Sequence, residues 1–209
     1  MQPLLVLASA SPRRRELIAQ LGLTAQCLSA DVDETPVMGE SPIDTARRLA
    51  MAKAQAVSER LEQEDASPAM LKQTRLVLAA DTLVTADDEI LGKPADVTDA
   101  ARMLQRLSGR WHQVITAVAL FGRQRQSIAA ITRVKFRAIE PWEARVYWAT
   151  GEPRDKAGGY AIQGRGALFV ERIEGSYSNV VGLPLFETGR LLTTEGLPPW
   201  GPDSQEASP

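Results

Sequence analysis

MQPLLVLASASPRRREL, Met1 to Leu17, opens the chain with an apolar run, a short serine-containing loop and three consecutive arginines. Leu4 to Ala8 has the continuous apolar character of a buried strand. Ser11 is a good N-cap and Pro12 suits the first helical turn, so Arg13 and Arg14 fall at N2 and N3, where the positive end of the macrodipole disfavours cations. A bound anion removes that conflict, because the N–H groups of a helix start already favour phosphate and guanidinium forks add bidentate hydrogen bonds. Strand, tight loop and helix start together predict a polyphosphate site. Leu17, Ile18 and Leu21 then follow helical spacing up to a stop at Gly22, and Arg15 reads as solvated.

The 209 residues suffice for one substantial core or two closely packed lobes, and 44% apolar with 24% charged residues is the balance of a globular protein. A net charge of -2 gives no support to nucleic-acid binding, which calls for a basic stripe, whereas a small anion needs only a local basic pocket. Cys27 is the one cysteine, so no intramolecular disulfide forms. The N-terminus lacks the pattern of a secretory signal, and no apolar run approaches the roughly 20 residues that span a bilayer. The expectation is a soluble, cytoplasmic protein that binds neither membrane nor nucleic acid.

Three acids, Asp31, Asp33 and Glu34, crowd a loop between Leu28 and Pro36, and either water, a cation or a basic neighbour must compensate them. Ser41-Pro42-Ile43-Asp44 then supplies a cap, a proline at N1 and an acid at N3. Ile43, Ala46, Ala50, Ala54, Val57 and Leu61 continue one apolar helical stripe. Lys53 lies about 60° from the centre of that stripe, where it can snorkel to solvent or reach a phosphate across a cleft. Glu62 to Arg75 reads as a connecting segment.

Leu76 to Val84, LVLAADTLV, resembles a buried strand interrupted by Asp81 and Thr82. A carboxylate among apolar neighbours persists mainly when paired, metal-bound or facing a polar cleft, which makes Asp81 the first catalytic candidate; a hydrogen-bonded structural Asp is the alternative. In the hairpin-like TADDEILGKP, Asp87-Asp88 can turn, and Lys93 is held between Gly92 and Pro94. Thr98 to Leu107 reads as a helix closed by Ser108-Gly109. Trp111 to Gly122 and Ser127 to Ile139 read as strands, the second with a basic, solvent-facing half at Arg133, Lys135 and Arg137. His112, the sole histidine, has no metal-ligating companion and reads as structural.

Glu140 to Thr150 reads as a helix with Trp142, Val146 and Ala149 as core contacts. The glycine-rich KAGGYAIQGRG, Lys156 to Gly166, leading into the strand ALFVERIEG, contains neither GxxxxGK[ST] nor GxGxxG, which argues against P-loop and Rossmann sites. Gln163 within it either offers a donor and an acceptor to a nucleobase edge or is buried in a bulged strand. Ser176 to Asn179 reads as a turn, Pro184 to about Thr194 as a final helix, and 197–209 as a poorly ordered tail after a single domain over 1–196. Alternating strands and helices followed by clustered strands suggest an α/β protein with a mixed sheet and a cleft.

SASPRR at Ser9 to Arg14, AADT at Ala79 to Thr82, GKP at Gly92 to Pro94, DKAGGYAIQG at Asp155 to Gly164 and SYSNVVGLP at Ser176 to Pro184 resemble, in order and spacing, the Maf family of nucleotide pyrophosphatases. The likeness runs from about residue 3 to 195. It implies an elongated mixed β-sheet flanked by helices, two lobes around a central cleft, similar to inosine-triphosphate pyrophosphatases and commonly homodimeric. It also implies hydrolysis of a nucleoside triphosphate between the α and β phosphates, with a divalent cation such as Mg²⁺ or Mn²⁺. By the same resemblance, Ser9, Ser11, Arg13 and Arg14 contact the substrate, Glu34 and Asp81 form the acidic, metal-binding pair, and Lys53 and Lys93 are the basic partners. Asp81 is then either the proton acceptor for the attacking water or a metal ligand. Thr82, Gln163 and Arg13 match the branch acting on dTTP and UTP. Broader turnover of modified nucleotides, or a nucleotide-sensing role linked to septum formation, are the alternatives that the resemblance carries.

Overall fold

The apolar run near the N-terminus forms β1 (Leu4–Leu7), with Leu5, Val6 and Leu7 buried. A computed structural model describes residues 2–35, 37–64, 74–87 and 89–200. After β1 come α1 (Pro12–Gln20), β2 (Gln26–Cys27), α2 (Pro42–Glu64), β3 (Arg75–Ala86), β4 (Glu89–Leu91) and α3 (Val97–Leu107). The remainder comprises β5 (Trp111–Phe121), β6 (Arg125–Phe136), α4 (Pro141–Ala149), β7 (Val170–Glu174), α5 (Tyr177–Val181) and α6 (Leu185–Thr194). Three short 3-10 turns, Glu152–Asp155, Ala157–Gly159 and Arg165–Phe169, lie between α4 and β7.

Among the described residues the strands make a seven-stranded sheet in the order β2-β1-β3-β5-β6-β7, with β4 also on β3. It is mixed, since β1 is parallel to β2 and β3 while β3–β4 and β6–β7 are antiparallel. The α/β class with a mixed sheet and flanking helices is therefore as expected.

The chain divides into two compact units. The first draws on 1–81, 117–129 and 182–209, and the second on 82–116 and 130–181. In the first, α2 buries Ala46, Leu49, Ala50, Ala54, Val57 and Leu61, and Asp44 N bonds Ser41 Oγ at 3.2 Å, as the capping signal predicts. In the second, Phe136 meets His112 and Tyr160 edge-on, each at 4.7 Å between ring centres, and the His112 and Tyr160 rings lie 5.5 Å apart.

Several local expectations are corrected. The helix α2 runs on to Glu64, beyond the expected start of the connection, while 65–73 lie outside the described residues. Asp81 and Thr82 do not interrupt β3 but stand within it. Asp87 turns with φ +49°, a conformation Asp tolerates, and Asp88 lies outside the described residues. The sequence ALFVERIEG begins as a 3-10 turn and becomes β7 only at Val170. Ser176 to Asn179 leads into the short helix α5 instead of a simple turn. Trp142, Val146 and Ala149 are exposed, and α4 buries Ala144 and Tyr147, because a nine-residue helix offers two apolar spacings and only one faces inward. Leu197, expected in the tail, is buried and its N–H reaches Leu192 O at 2.9 Å; 201–209 lie outside the described residues.

Candidate active site

In the first unit the site starts where β1 ends. Ala8 N donates to Leu78 O of β3 at 2.7 Å, continuing the parallel register, and the chain then turns at Ser9. The carboxyl ends of parallel strands are where α/β sheets place ligands. Buried Ser9 organises this turn: its Oγ accepts from Ser11 N at 3.1 Å and from Arg14 Nη1 at 3.3 Å. Ser11 stands at the N-cap position, as predicted, yet its hydroxyl makes no capping bond. Arg14 Nε donates to Gly182 O at 2.9 Å. Gly182 is a residue that sequence reasoning missed, for it is 168 positions away from Arg14. Burial pushes the Arg14 guanidinium below its ordinary value, with Asp81 opposing that shift, Arg13 adding to it and Glu34 opposing it. Arg13 is half-buried, and Arg15 is exposed, as its solvated reading expected.

Lys53 of α2 joins the two candidate acids. Its Nζ lies 2.6 Å from Asp81 Oδ1 and 2.6 Å from Glu34 Oε1. The Lys53 and Asp81 side chains are only 14% and 10% exposed, so Lys53 is not a snorkelling surface lysine, whereas Glu34 is 52% exposed. The acidic loop is fastened from both sides. Asp33 Oδ1 accepts from Thr35 N at 2.9 Å, Arg48 Nη2 donates to Thr35 O at 3.3 Å, and Arg48 holds Glu40 through Nε and Nη2 at 2.9 Å. Glu34 thereby comes to Lys53, so that of the crowded acids Asp33 is compensated by local hydrogen bonds and Glu34 by a basic neighbour.

The same ammonium within 2.6 Å of both carboxylates marks one point that Asp81 and Glu34 approach together. Two hard oxygen donors of this kind suit Mg²⁺ or Mn²⁺, which commonly take one or two carboxylates and complete their shell with phosphate oxygens and water. Among the described residues no group of three or more His, Cys, Asp or Glu could hold a metal alone, so substrate oxygens would have to supply the rest.

The second unit carries Thr82, Lys93 and Gln163. Lys93 is exposed just after β4, and its segment is tied to the glycine-rich stretch by Gly158 N donating to Gly92 O at 2.9 Å. A Cβ on Gly158 would stand 2.8 Å from Val84 Cγ1, and with φ at +69° only glycine permits this approach. Gln163 is exposed in a turn, which rules out the buried, bulged strand. That turn is clamped by two residues outside the motif. Tyr147 Oη donates to Glu152 Oε1 at 2.5 Å and accepts from Ala161 N at 3.0 Å, while Glu152 accepts from Arg165 N and Gly166 N, each at 3.0 Å. Burial and the bond to Glu152 push the Tyr147 hydroxyl above its ordinary range.

His112 is structural, as expected. It is 3% exposed, its Nε2 lies 2.8 Å from Tyr160 Oη, and burial holds its pKa down at about 3. The basic half-face at the end of β6 and just beyond it is spent on ion pairs, Arg133 with Glu174, Lys135 with Glu171 and, after the strand, Arg137 with Glu143.

Known proteins resemble this chain over nearly its whole length. A dTTP/UTP pyrophosphatase of Myxococcus xanthus (strain DK1622) is 52% identical over 200 residues, covering 95% of this chain and 96% of that protein. A dTTP/UTP pyrophosphatase of Pseudoalteromonas atlantica (strain T6c / ATCC BAA-1087) is 50% identical over 195 residues, covering 93% and 98%. Among solved structures, the Ham1 protein of Staphylococcus aureus aligns over 63% of this chain and 71% of its own with a TM-score of 0.43 and 13% identity, too loosely to carry an argument. No helix among the described residues is long and apolar enough to cross a membrane. The Maf-like protein model matches residues 4–195, and with relatives at this identity the chain belongs to the Maf family.

Proposed function

We propose that this protein hydrolyses nucleoside triphosphates, dTTP and UTP before others, at the α–β phosphate bond to give the nucleoside monophosphate and pyrophosphate. The observation that carries the reading is Lys53 bridging Asp81 and Glu34 in the unit that also fixes Arg14 at a helix start. Relatives at about half identity, named for dTTP and UTP, support the substrate class.

Arg13 and Arg14 bind phosphate oxygens, with Arg14 oriented by Ser9 and Gly182 before substrate arrives. Ser11 presents the loop to the phosphates. Asp81 and Glu34 would hold a Mg²⁺ or Mn²⁺ ion, which supplies charge neutralisation and water activation when bound. Asp81 otherwise takes the proton of the attacking water, and Lys53 keeps its carboxylate oriented. Lys53 and Lys93 offset negative charge that develops on the phosphates, the main task in phosphoryl transfer. In the second unit Thr82 and Gln163 are assigned to the pyrimidine.

The test is product analysis with dTTP, UTP, CTP, GTP and 7-methyl-GTP, with and without Mg²⁺. Pyrophosphate release from dTTP and UTP that stops with EDTA, and stops in Asp81→Asn while nucleotide still binds, is the expected result. Best turnover of 7-methyl-GTP, or full activity of Asp81→Asn, overturns the reading.

A further inference from the structure

One acidic side chain of the second unit spends its charge on backbone. Glu152, half-buried, accepts from Arg165 N through Oε2 and from Gly166 N through Oε1, each at 3.0 Å. Its Oε1 also accepts from Tyr147 Oη at 2.5 Å, and that hydroxyl in turn accepts from Ala161 N at 3.0 Å. A backbone N–H only donates and a phenol has one hydrogen, so the two Tyr147 bonds join end to end. One bonded path therefore grips the stretch 161–166 at both ends, Ala161 through Tyr147 and Arg165 with Gly166 through Glu152. Gln163 stands exposed between the two holds.

The glycines of Gly164-Arg165-Gly166 make room for this grip. A Cβ on Gly164 would collide with the Glu152 carboxylate, and one on Gly166 would stand 2.6 Å from Tyr147 Oη and 2.7 Å from Ala161 O. Only bare backbone lets a carboxylate reach the N–H groups of two successive residues here. The stretch 161–166 belongs to no strand, and its own turn bond, Gly164 N to Ala161 O, is 3.2 Å long. Two glycines would leave it many conformations without the grip.

We infer that Tyr147 and Glu152 are positioning residues that fix the Gln163 turn before the nucleotide arrives, so that the base end of the ligand meets a turn already in place. This rests on the assignment of Gln163 to the pyrimidine under the proposed function. The ordering of a glycine-rich turn is completed in folding instead of on binding, which lowers KM and leaves the phosphate chemistry untouched. Tyr147 is 4% exposed, so its part in binding passes through the turn.

The experiment measures kcat and KM for UTP in the wild type, Tyr147→Phe, Glu152→Gln, Gln163→Ala and the double variant Tyr147→Phe/Gln163→Ala. Alongside, it measures inhibition by inorganic tripolyphosphate, a ligand without a base. Tyr147→Phe removes the hydroxyl that joins the two holds, and Glu152→Gln turns one accepting oxygen into an NH₂ that opposes an N–H. In each, KM for UTP should rise about tenfold, with kcat and tripolyphosphate inhibition within about twofold of the wild type. The double variant should have the KM of Gln163→Ala, because the grip matters only through Gln163. A merely structural role would weaken tripolyphosphate equally and act as strongly in the Gln163→Ala background. Either of those results, or an unchanged KM in a folded Tyr147→Phe or Glu152→Gln, overturns the inference, while a raised KM in Gln163→Ala leaves the proposed function standing. If neither grip variant folds, hydrogen exchange of the wild type decides. Protected amides at Ala161, Arg165 and Gly166 in the nucleotide-free protein support the inference, and protection that arises only with an unhydrolysable UTP analogue overturns it. A Gln163→Ala enzyme with the KM of the wild type overturns the assignment of Gln163 and the inference with it.

Discussion

Lys53→Met deletes the ammonium that holds Asp81 and Glu34 together while keeping an unbranched stem of similar length. Asp81, with its side chain 10% exposed, then faces Glu34 with no cation between them. Removing one partner of a buried ion pair costs about 3–5 kcal/mol. Glu34 is 52% exposed, so water enters from its side and the lower end, about 3 kcal/mol, is the appropriate figure. In a domain of this size each kcal/mol moves Tm by about 2–4 °C, which gives a fall of about 6–12 °C. Thermal unfolding at neutral pH measures it, and a double-mutant cycle assigns it. Asp81→Asn in the Lys53→Met background removes the orphaned charge and should regain most of the lost stability, giving a coupling of at least about 1 kcal/mol. A single variant within about 1 °C of the wild type, or additive effects in the cycle, would refute the view that the lysine compensates the acids. The same variant should lose about 10²–10³ in kcat, as removal of a charge-stabilising donor does.

Ser9→Ala removes the acceptor shared by Arg14 and Ser11, and Arg14→Lys cannot reproduce the fork to Ser9 and Gly182. Both should raise KM for dTTP, by about fivefold for Ser9→Ala and more for Arg14→Lys, in steady-state assays. Glu143 is held at about 2, first by its bonds from Arg137 and then by that from Glu140 N, below its ordinary 4.5. A depressed carboxylate stabilises above the unfolded value and loses that contribution as pH falls through the folded one, so the Tm gap between wild type and Glu143→Gln should shrink from pH 4.5 to about 2. His112, held at about 3 by burial against 6.5, is neutral when folded. The unfolded chain takes up its proton first, so the wild type should lose stability from pH 6.5 down to about 3 more steeply than His112→Gln, as urea midpoints across that range will show.

Elements with a strong local period were legible. β1, α2, α3 and β5 lie where apolar spacing and caps put them, because burial of one stripe or run dominates their energetics. Trp142 and Val146 failed because i, i+4 spacing on a short helix marks a face without saying which way it turns, and Tyr147 and Ala144 won the interior. Of the candidate site, Lys53, Asp81 and Glu34, named from the sequence, do meet, while the groups that aim the candidate residues left no signal. Gly182 meets Arg14 across 168 positions, a separation that leaves no periodic trace. Tyr147 and Glu152 clamp the Gln163 turn through backbone N–H groups, so nothing about their side chains alone announces that task.

The arginines at the start of α1 pose a sharper question than they did as sequence. A cation at N3 opposes the macrodipole, and a bound anion was the simplest relief. The structure supplies a second relief, since Ser9 Oγ and Gly182 O accept from Arg14. Arg14 is thus oriented by the protein, and under the proposed function a phosphate would meet a guanidinium whose rotamer cost has already been met in folding. Such preorganisation cuts the entropy lost on binding. Gly182, at φ +128°, places its carbonyl from a backbone conformation that an L side chain rarely adopts. Under the proposed function the glycine of SYSNVVGLP would then serve the phosphate site although it need touch no phosphate: its carbonyl fixes the arginine that is assigned to the ligand.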